Sequence, residues 1–246
     1  MAKINKIEEH IRRGLRKGKP LHFTLLDPET LNTREEIEKC INYGTDAFML
    51  GGSLRINDEY AKNIVKAIKS VKQSMPVISF PGNVNGVFNY ADAVFFMSLL
   101  NSTNPYWITG AQAISAFDIK AKKIEAISLA YIIIEPGETV AFIGDAKPIP
   151  RKKEEIACAY ALSAQYMGFK FVYFEAGSGA EESVPSKMIS MAKKTINIPL
   201  IVGGGIRTPQ AAREKALAGA DIIVTGNIVE DNIGILEDII KAIKEI

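Results

Sequence analysis

Short apolar segments alternate along this chain with longer segments whose apolar residues recur at the period of a helix. The first apolar segment, Leu21–Asp27, has the length of a strand, and Asn32–Tyr43 follows it with helical periodicity. Asn32 or Thr33 stands where a residue that caps the helix is expected. The two segments therefore predict one β/α unit, a strand followed by a helix that covers it.

The alternation continues to the end of the chain and predicts eight strands. Nearly continuous apolar strands separated by helices are typical of a parallel sheet that helices cover. Closure into a barrel suits eight such units better than an open, doubly wound sheet, which is the alternative architecture. The predicted strands are Leu21–Asp27, Ala47–Ser53, Val77–Gly82, Ala93–Leu100, Ser128–Glu135, Phe171–Ala176, Leu200–Gly205 and Asp221–Gly226. The predicted helices after the first are Asp58–Gln73, Ile108–Glu125, Lys152–Met167, one that begins at Pro209 and one near Ile233–Ile246.

The fold class that this pattern predicts is α/β, a single (β/α)8 TIM-type barrel forming one domain over residues 1–246. Between strands 3 and 4 there is room for an irregular helix but little for a full one. Two segments rich in glycine, proline and asparagine, Phe80–Tyr90 and Gly137–Pro150, interrupt the alternation. In a barrel such segments are loops at the strand ends, where functional residues tend to lie.

The composition is that of an ordinary globular domain, with 47% hydrophobic and 24% charged residues. The formal charge is +2 and the basic residues are dispersed, so a nucleic-acid partner is not indicated. The charged N-terminal segment lacks an apolar signal sequence, and no apolar run is long enough to cross a bilayer. We therefore expect a cytoplasmic protein. Cys40 and Cys158 fit no metal or redox pattern, and we expect them to be buried thiols.

Glycines end the last two predicted strands. Gly203, Gly204 and Gly205 end strand 7, and Gly226 with Asn227 ends strand 8. Glycines let backbone N–H groups close on a phosphate, and many barrels bind phosphate at the ends of these two strands. The alternative is that the glycines only make tight turns. Thr208 can cap the next helix, with Pro209 at its first position.

Strand 6 ends in a carboxylate, Glu175, that stands beside a glycine-containing loop. At this position a carboxylate can accept a proton from a substrate hydroxyl, so Glu175 is the candidate general base. A salt-bridged loop carboxylate is the alternative. Tyr173 alternates with Glu175 and shares its face of the strand, although packing alone would explain a tyrosine there equally well.

Strands 1 and 2 end in Asp27 and Ser53, which would lie at neighbouring strand ends. A carboxylate and a hydroxyl suit Mg2+ that is shared with phosphate oxygens of a substrate. The alternatives are an Asp-Pro turn at Asp27 and a helix cap at Ser53. Neither histidine is a candidate: His22 begins a strand and is expected to be packed or hydrogen-bonded, and His10 belongs to a charged helix.

These motifs together resemble the geranylgeranylglyceryl phosphate synthase family, which includes related bacterial prenyltransferases. The resemblance rests on LLDPE (residues 25–29), GGS (51–53), YFEAGSG (173–179), VGGGIR (202–207) and TGN (225–227). They occur in the family's order and cover nearly the whole chain. The resemblance implies a prenyltransferase of archaeal-type membrane lipid biosynthesis. Such an enzyme forms an ether bond between a prenyl diphosphate, usually geranylgeranyl diphosphate, and the C3 hydroxyl of sn-glycerol 1-phosphate.

Carried over to this sequence, the resemblance implies that Glu175 takes the proton of the attacking hydroxyl and that Asp27 and Ser53 bind the cofactor Mg2+. It also implies a homo-oligomer and is compatible with transient contact with a membrane surface. The residues implied to bind glycerol phosphate are Tyr173, Phe174, Glu175, Ala176, Gly177, Ser178, Gly179, Gly204, Gly205, Gly226 and Asn227.

Aromatic residues offer a lining for the apolar groove that a prenyl chain requires, namely those in Phe88–Phe96 together with Tyr106, Trp107 and Phe117. Core packing is the alternative for most of them. Two other function classes stay open. A phosphate-binding barrel isomerase or lyase of amino-acid biosynthesis would share strands 7 and 8, but it needs an acid/base pair or a Schiff-base lysine. A noncatalytic phosphometabolite-binding protein would share the glycine loops without needing Glu175 or Asp27.

Overall fold

The computed structural model describes residues 6–27, 33–52, 58–226 and 228–246. Its strands are parallel and close into a barrel in chain order, because the first strand pairs with both the second and the eighth. The predicted barrel is therefore confirmed, and the open sheet is excluded. The strands are β1 (Leu21–Leu26), β2 (Ala47–Leu50), β3 (Val77–Ser79), β4 (Ala93–Leu99), β5 (Glu125–Ile133), β6 (Phe171–Glu175), β7 (Leu200–Gly203) and β8 (Ile222–Thr225).

Helices cover the outside of the barrel. Between β3 and β4 the described chain forms only a 3-10 turn, Val84–Gly86, which agrees with the predicted irregular helix. A π-helical turn, Tyr106–Gly110, precedes the helix after β4. The helices are α1 (Lys6–Leu15), α2 (Arg34–Tyr43), α3 (Asp58–Val71), α4 (Ala111–Lys122), α5 (Glu138–Ile143), α6 (Glu154–Tyr166), α7 (Ser186–Thr195), α8 (Pro209–Leu217) and α9 (Ile228–Lys244), which is interrupted at Asn232. None of the helices in the described ranges is long and apolar enough to cross a membrane.

The apolar strand residues divide between two cores because alternate side chains point to opposite faces of each strand. Phe95 and Phe171 pack inside the barrel. Phe48 and Phe174 pack outside it, against the helices. Cys40 and Cys158 are buried in the outer core, which confirms the expectation of buried thiols.

Two helix starts follow the predicted cap chemistry. The Thr33 side chain accepts the backbone N–H of Glu36, and the Glu36 carboxylate accepts that of Thr33, which is a capping box. Thr208 accepts the backbone N–H of Ala211 at 3.1 Å, with Pro209 at the first position of α8. The cap at Thr208 fixes the chain shortly after Gly203, Gly204 and Gly205.

Two element boundaries correct the sequence prediction. The helix predicted to end at Glu125 ends at Lys122, and β5 begins at Glu125 rather than at Ser128. The buried Glu125 carboxylate accepts the backbone N–H groups of Ile7 and Glu8, at 2.7 and 2.8 Å, so it caps α1 and breaks the apolar pattern of its own strand. The segment predicted as a loop between Gly137 and Pro150 contains α5, a helix too short to show a clear periodicity.

Candidate active site at the carboxyl ends of the strands

A cavity of about 440 Å³ opens at the carboxyl ends of the strands. One side of it is built by the ends of β6, β7, β8 and β1 and carries the polar and glycine residues. The opposite side is built by β4, α4 and the turns that precede them and is mostly apolar, although Gln112 and Ser115 of α4 also line it. The polar side includes Asp27, Glu175, Ser178, Gly179, Gly204, Gly205 and Gly226, and the apolar side includes Val87, Val94, Phe96, Trp107, Ala111 and Ile119.

Glu175 is the buried carboxylate of this cavity, with 6% of its surface exposed. Removal from water raises the pKa of Glu175 to about 7, although hydrogen bonds from the Gly177 N–H, Tyr173 and Tyr131 act in the lowering direction. Among the described residues Glu175 forms no salt bridge, so its contacts differ from those of the alternative, a salt-bridged loop carboxylate. A carboxylate with a pKa near neutrality suits proton transfer at physiological pH.

Two tyrosines hold the Glu175 carboxylate from inside the barrel. Burial first, and the nearby carboxylate second, hold the pKa of Tyr131 and of Tyr173 well above the ordinary value, so both phenols keep their protons and donate to Glu175. Their rings contact each other edge to face, with centroids 5.2 Å apart. Phe80 packs against both, with centroids 5.5 Å from Tyr131 and 5.6 Å from Tyr173.

Neither Tyr131 nor Phe80 was predicted from the sequence as a residue of the site. In the barrel Tyr131 pairs with Tyr173, and Ile133 pairs with Glu175, so the register brings the two tyrosines side by side beneath the carboxylate. Alternation along β5 could have indicated from the sequence that the Tyr131 side chain points into the barrel. Its position beside Tyr173 depends on the register of the folded sheet, which the alternation does not determine.

Gly203 and Gly204 make room for this arrangement. A Cβ atom at Gly203 would overlap the Tyr173 hydroxyl, and one at Gly204 would overlap a Glu175 carboxylate oxygen and lie 2.7 Å from the Gly177 nitrogen. Gly204 also has a φ of +81°, which disfavours other residues. Gly203 and Gly204 therefore allow the end of β7 to approach Tyr173 and Glu175, and Gly204 also lines the cavity.

The loop after β6 has its own hydrogen bonds. The Gly177 N–H donates to a Glu175 carboxylate oxygen at 2.7 Å, and the Ala176 N–H donates to the Gly203 carbonyl at 3.2 Å. Arg207 donates to the Gly179 carbonyl at 2.8 Å and ties this loop to the loop after β7. Of the predicted binding residues, Ser178 and Gly179 line the cavity, whereas the side chains of Phe174 and Ala176 lie in the outer core.

β7 and β8 separate at their carboxyl ends. Their register pairs stop at Val202 and Ile223, while β8 stays paired with β1 as far as Thr225. Gly204 and Gly205 on one side, and Gly226 on the other, therefore flank an opening that faces the cavity. The predicted binding residue Asn227 lies outside the described residues.

Asp27 directly follows β1, and its carboxylate lies against the backbone at Gly52, just after β2. A Cβ atom on Gly52 would be 2.8 Å from each Asp27 carboxylate oxygen, so the absence of a side chain there leaves the space that the carboxylate uses. Its predicted partner Ser53 lies outside the described residues. No group of three or more His, Cys, Asp or Glu residues is placed to bind a metal within the described ranges. A single carboxylate at a strand end can hold Mg2+, which keeps water and substrate oxygens among its ligands.

The aromatic residues predicted for the apolar groove have different environments. Phe95, Phe96 and Trp107 line the cavity. Phe88 is buried in the outer core, and the Phe117 side chain is 82% exposed. Tyr106 packs edge to face on Trp107, and its hydroxyl donates to Asn83 at 3.0 Å. The groove lies beside β4, next to the place where the chain forms a 3-10 turn instead of a full helix.

Comparisons with known proteins agree over nearly the whole chain. The model of the PcrB family matches residues 13–246. The geranylgeranylglyceryl phosphate synthase of Pyrococcus abyssi is 52% identical, with 99% of this chain and 100% of that protein aligned. The enzyme of the same name from Thermococcus gammatolerans is 53% identical, with 100% and 98% aligned. The crystal structure of (S)-3-O-geranylgeranylglyceryl phosphate synthase from Thermoplasma acidophilum in complex with the substrate sn-glycerol-1-phosphate superimposes with a TM-score of 0.92 at 42% identity, covering 98% of this chain and 99% of that chain.

Proposed function

The chain belongs to the PcrB family, and from that membership we propose that it is a prenyltransferase of the geranylgeranylglyceryl phosphate synthase type. It transfers a prenyl group from a prenyl diphosphate to the C3 hydroxyl of sn-glycerol 1-phosphate, in the synthesis of archaeal-type membrane lipids. Two relatives named geranylgeranylglyceryl phosphate synthase support this activity, and this chain aligns with 100% and 98% of their lengths. The related structure from Thermoplasma acidophilum holds sn-glycerol-1-phosphate, which supports the acceptor.

The observation that carries the proposal is the position of Glu175 between the glycine loops and the apolar groove. A glycerol phosphate held at the loops of β7 and β8 presents its C3 hydroxyl to this carboxylate. The hydroxyl oxygen bonds to C1 of the prenyl group, the bond from C1 to the diphosphate breaks, and the hydroxyl proton passes to Glu175. Tyr131 and Tyr173 hold the carboxylate in place for that transfer.

The apolar side of the cavity serves the donor substrate. Phe96, Trp107 and Ile119 offer a surface for the hydrocarbon chain that begins beside the polar strand ends. Binding of the chain in this groove would also keep water away from the reacting carbon, so that the glycerol hydroxyl is the acceptor.

Mg2+ is the cofactor that we propose for the diphosphate end. Asp27, together with Ser53, would hold it, and when bound it offsets the negative charge that collects on the departing diphosphate. The carboxylate at the end of β1 and the space over Gly52 support this assignment.

Turnover of defined substrates tests the proposed function. The protein is incubated with sn-glycerol 1-phosphate, labelled geranylgeranyl diphosphate and Mg2+, and the organic phase is analysed for the prenyl ether. We expect the ether to form with release of diphosphate, and sn-glycerol 3-phosphate serves as the control acceptor. Binding of glycerol phosphate without any ether product would favour a noncatalytic binding protein and contradict the proposal.

Substitution of Asp27 tests the metal site. We expect Asp27→Asn to raise the Mg2+ concentration needed for half-maximal turnover, because the amide oxygen carries no charge to attract the cation. The measurement is turnover across a Mg2+ titration, with Asp92→Asn as control, since Asp92 forms an ion pair with Lys69 elsewhere in the fold. An unaltered Mg2+ dependence in Asp27→Asn would remove this residue from the metal site.

We also propose that the chain forms a homo-oligomer. Several large apolar side chains are exposed on the described surface, and burial against another copy would remove them from water. Light scattering should give a mass that is a multiple of 26.9 kDa. A mass of one chain at every protein concentration would contradict this prediction and leave the catalytic proposal unaffected. The most exposed of these side chains are Ile114, Phe117, Phe142, Tyr166 and Met167.

A further inference from the structure

A fully buried polar network joins the first strand of the barrel to the last. His22 on β1 contacts the Thr225 hydroxyl through Nε2 at 2.9 Å and the Thr45 hydroxyl through Nδ1 at 3.2 Å. Thr24 donates to Thr45 at 3.0 Å. These four side chains lie outside the barrel wall, under the helices, and the mechanism above uses none of them.

The hydrogen bonds indicate which nitrogen of the His22 imidazole carries the proton. The Thr45 hydroxyl has backbone carbonyls of His22 and Ala47 within 3.3 and 3.2 Å, so its proton goes to a carbonyl and its oxygen only accepts from the side chains. Nδ1 of His22 therefore carries the ring proton, and Nε2 accepts the proton of Thr225. Burial first, and then the charge of Lys244, lower the pKa of His22 to about 3, so the ring remains neutral.

Thr225 is the residue immediately before Gly226. At this end β8 has register pairs with β1 but, within the described strands, none with β7 beyond Ile223. In the described part of the chain, the strand end beside the opening between β7 and β8 is therefore paired with β1 and not with β7, and the Thr225 hydroxyl adds a hydrogen bond to His22 on β1. Loss of that hydrogen bond would leave a buried acceptor unpaired on His22 and would free the strand end to move.

We propose that His22 is a positioning residue for phosphate binding, and that it acts through Thr225 to hold Gly226 at the opening between β7 and β8. This inference rests on the proposed function for the identity of the acceptor, sn-glycerol 1-phosphate. It goes beyond that function because it assigns a role to a buried histidine that touches neither substrate. The predicted effect is confined to the phosphate-bearing acceptor, since the prenyl groove lies on the opposite side of the cavity.

Matched substitutions on both partners test the hydrogen bond. His22→Leu and Thr225→Val remove it, whereas His22→Gln and Thr225→Ser each keep a group that can form it. Thr24→Val is the control, because among the described contacts the Thr24 hydroxyl donates to Thr45 and makes no hydrogen bond to Thr225, although the two residues are register partners on β1 and β8. We expect His22→Leu and Thr225→Val each to raise the KM for sn-glycerol 1-phosphate by about tenfold, as the loss of one buried hydrogen bond allows. The KM for the prenyl diphosphate should not change, and the double variant should be no worse than either single one.

A merely structural role would give a different result. It would lower the Tm and the amount of active enzyme while leaving the KM for glycerol phosphate unchanged, and Thr24→Val would behave like His22→Leu. Either finding would overturn the proposal, as would a failure of His22→Gln and Thr225→Ser to restore part of the affinity. Calorimetric titration of each variant with inorganic phosphate gives a second reading that does not need turnover. Inactive wild-type protein would refute the proposed function, whereas an unchanged affinity for inorganic phosphate would refute the role of His22.

Discussion

Glu175→Gln is expected to lower prenyl-transfer turnover by about 10²- to 10⁴-fold, which corresponds to roughly 3 to 5 kcal/mol of barrier. The amide has nearly the shape of the carboxylate but cannot take the hydroxyl proton. Turnover is measured at saturating substrates, and binding of sn-glycerol 1-phosphate should change much less because the glycine loops are intact. Glu125→Gln is the matched control, since Glu125 is also a buried carboxylate but caps α1 at the amino end of the barrel. The control should lose stability and keep its turnover.

A folded Glu175→Gln variant that keeps more than about a tenth of normal turnover when chemistry limits the rate would contradict the role of Glu175. Thermal unfolding of the variant is measured alongside, so that a loss of turnover caused by unfolding is recognised. Unfolding is not expected, because an ionised buried carboxylate with a raised pKa opposes folding. Its contribution makes the folded state less stable as the pH rises from the ordinary value of 4.5 through about 7. The glutamine removes that pH dependence.

The pH profile gives a second test of the same base. The reactive form of Glu175 is the carboxylate, so kcat/KM should rise with pH up to a pKa of about 7 and then level off. The hydrogen bond from Tyr131 stabilises the charged form and acts to lower that pKa. Tyr131→Phe should therefore move the acidic limb of the profile to higher pH. A limb at the same pH in Tyr131→Phe would mean that the Tyr131 hydroxyl does not act on the titrating group.

Gly204→Val is expected to weaken binding of sn-glycerol 1-phosphate by about 100-fold, the equivalent of roughly one or two hydrogen bonds to a charged group. Any side chain at Gly204 enters the space of the Glu175 carboxylate and the Gly177 backbone, and it must do so at a φ of +81°. Isothermal titration calorimetry with sn-glycerol 1-phosphate measures the effect. The same substitution should also reduce turnover, because it displaces the base.

Substitution of two further glycines distinguishes weaker binding caused by loss of the phosphate site from weaker binding caused by backbone strain. Gly168 has a φ of +87° with nothing near its missing Cβ, so Gly168→Val carries the strain without a clash and should bind normally. Gly226 lines the cavity without a positive φ, and its added Cβ would meet its nearest neighbour at 3.5 Å. Gly226→Val should therefore fold and still weaken binding. Unchanged affinity in both Gly204→Val and Gly226→Val would remove these loops from the phosphate site.

Local patterns in the sequence were sufficient to predict the barrel and the placement of its strand ends. Periodicity separates strands from helices, and Thr33, Thr208 and Pro209 mark helix starts through hydrogen bonds and backbone angles that involve only a few neighbouring residues. Glu175 and the glycines of β7 were found in the same way, because chemistry at the end of a barrel strand faces one common mouth. Local patterns failed at Glu125, whose partners lie more than a hundred residues away in α1.

The sequence alone therefore determined the fold class, the family resemblance and the positions of the candidate base and phosphate loops. Only the tertiary structure decided that Tyr131 donates to Glu175, that Gly203 leaves room for the Tyr173 hydroxyl, and that His22 meets Thr225. The physical reason is that contacts between strands depend on the register in which the barrel closes. That register is set by packing of the whole sheet, and it brings together residues as far apart in the chain as β1 and β8.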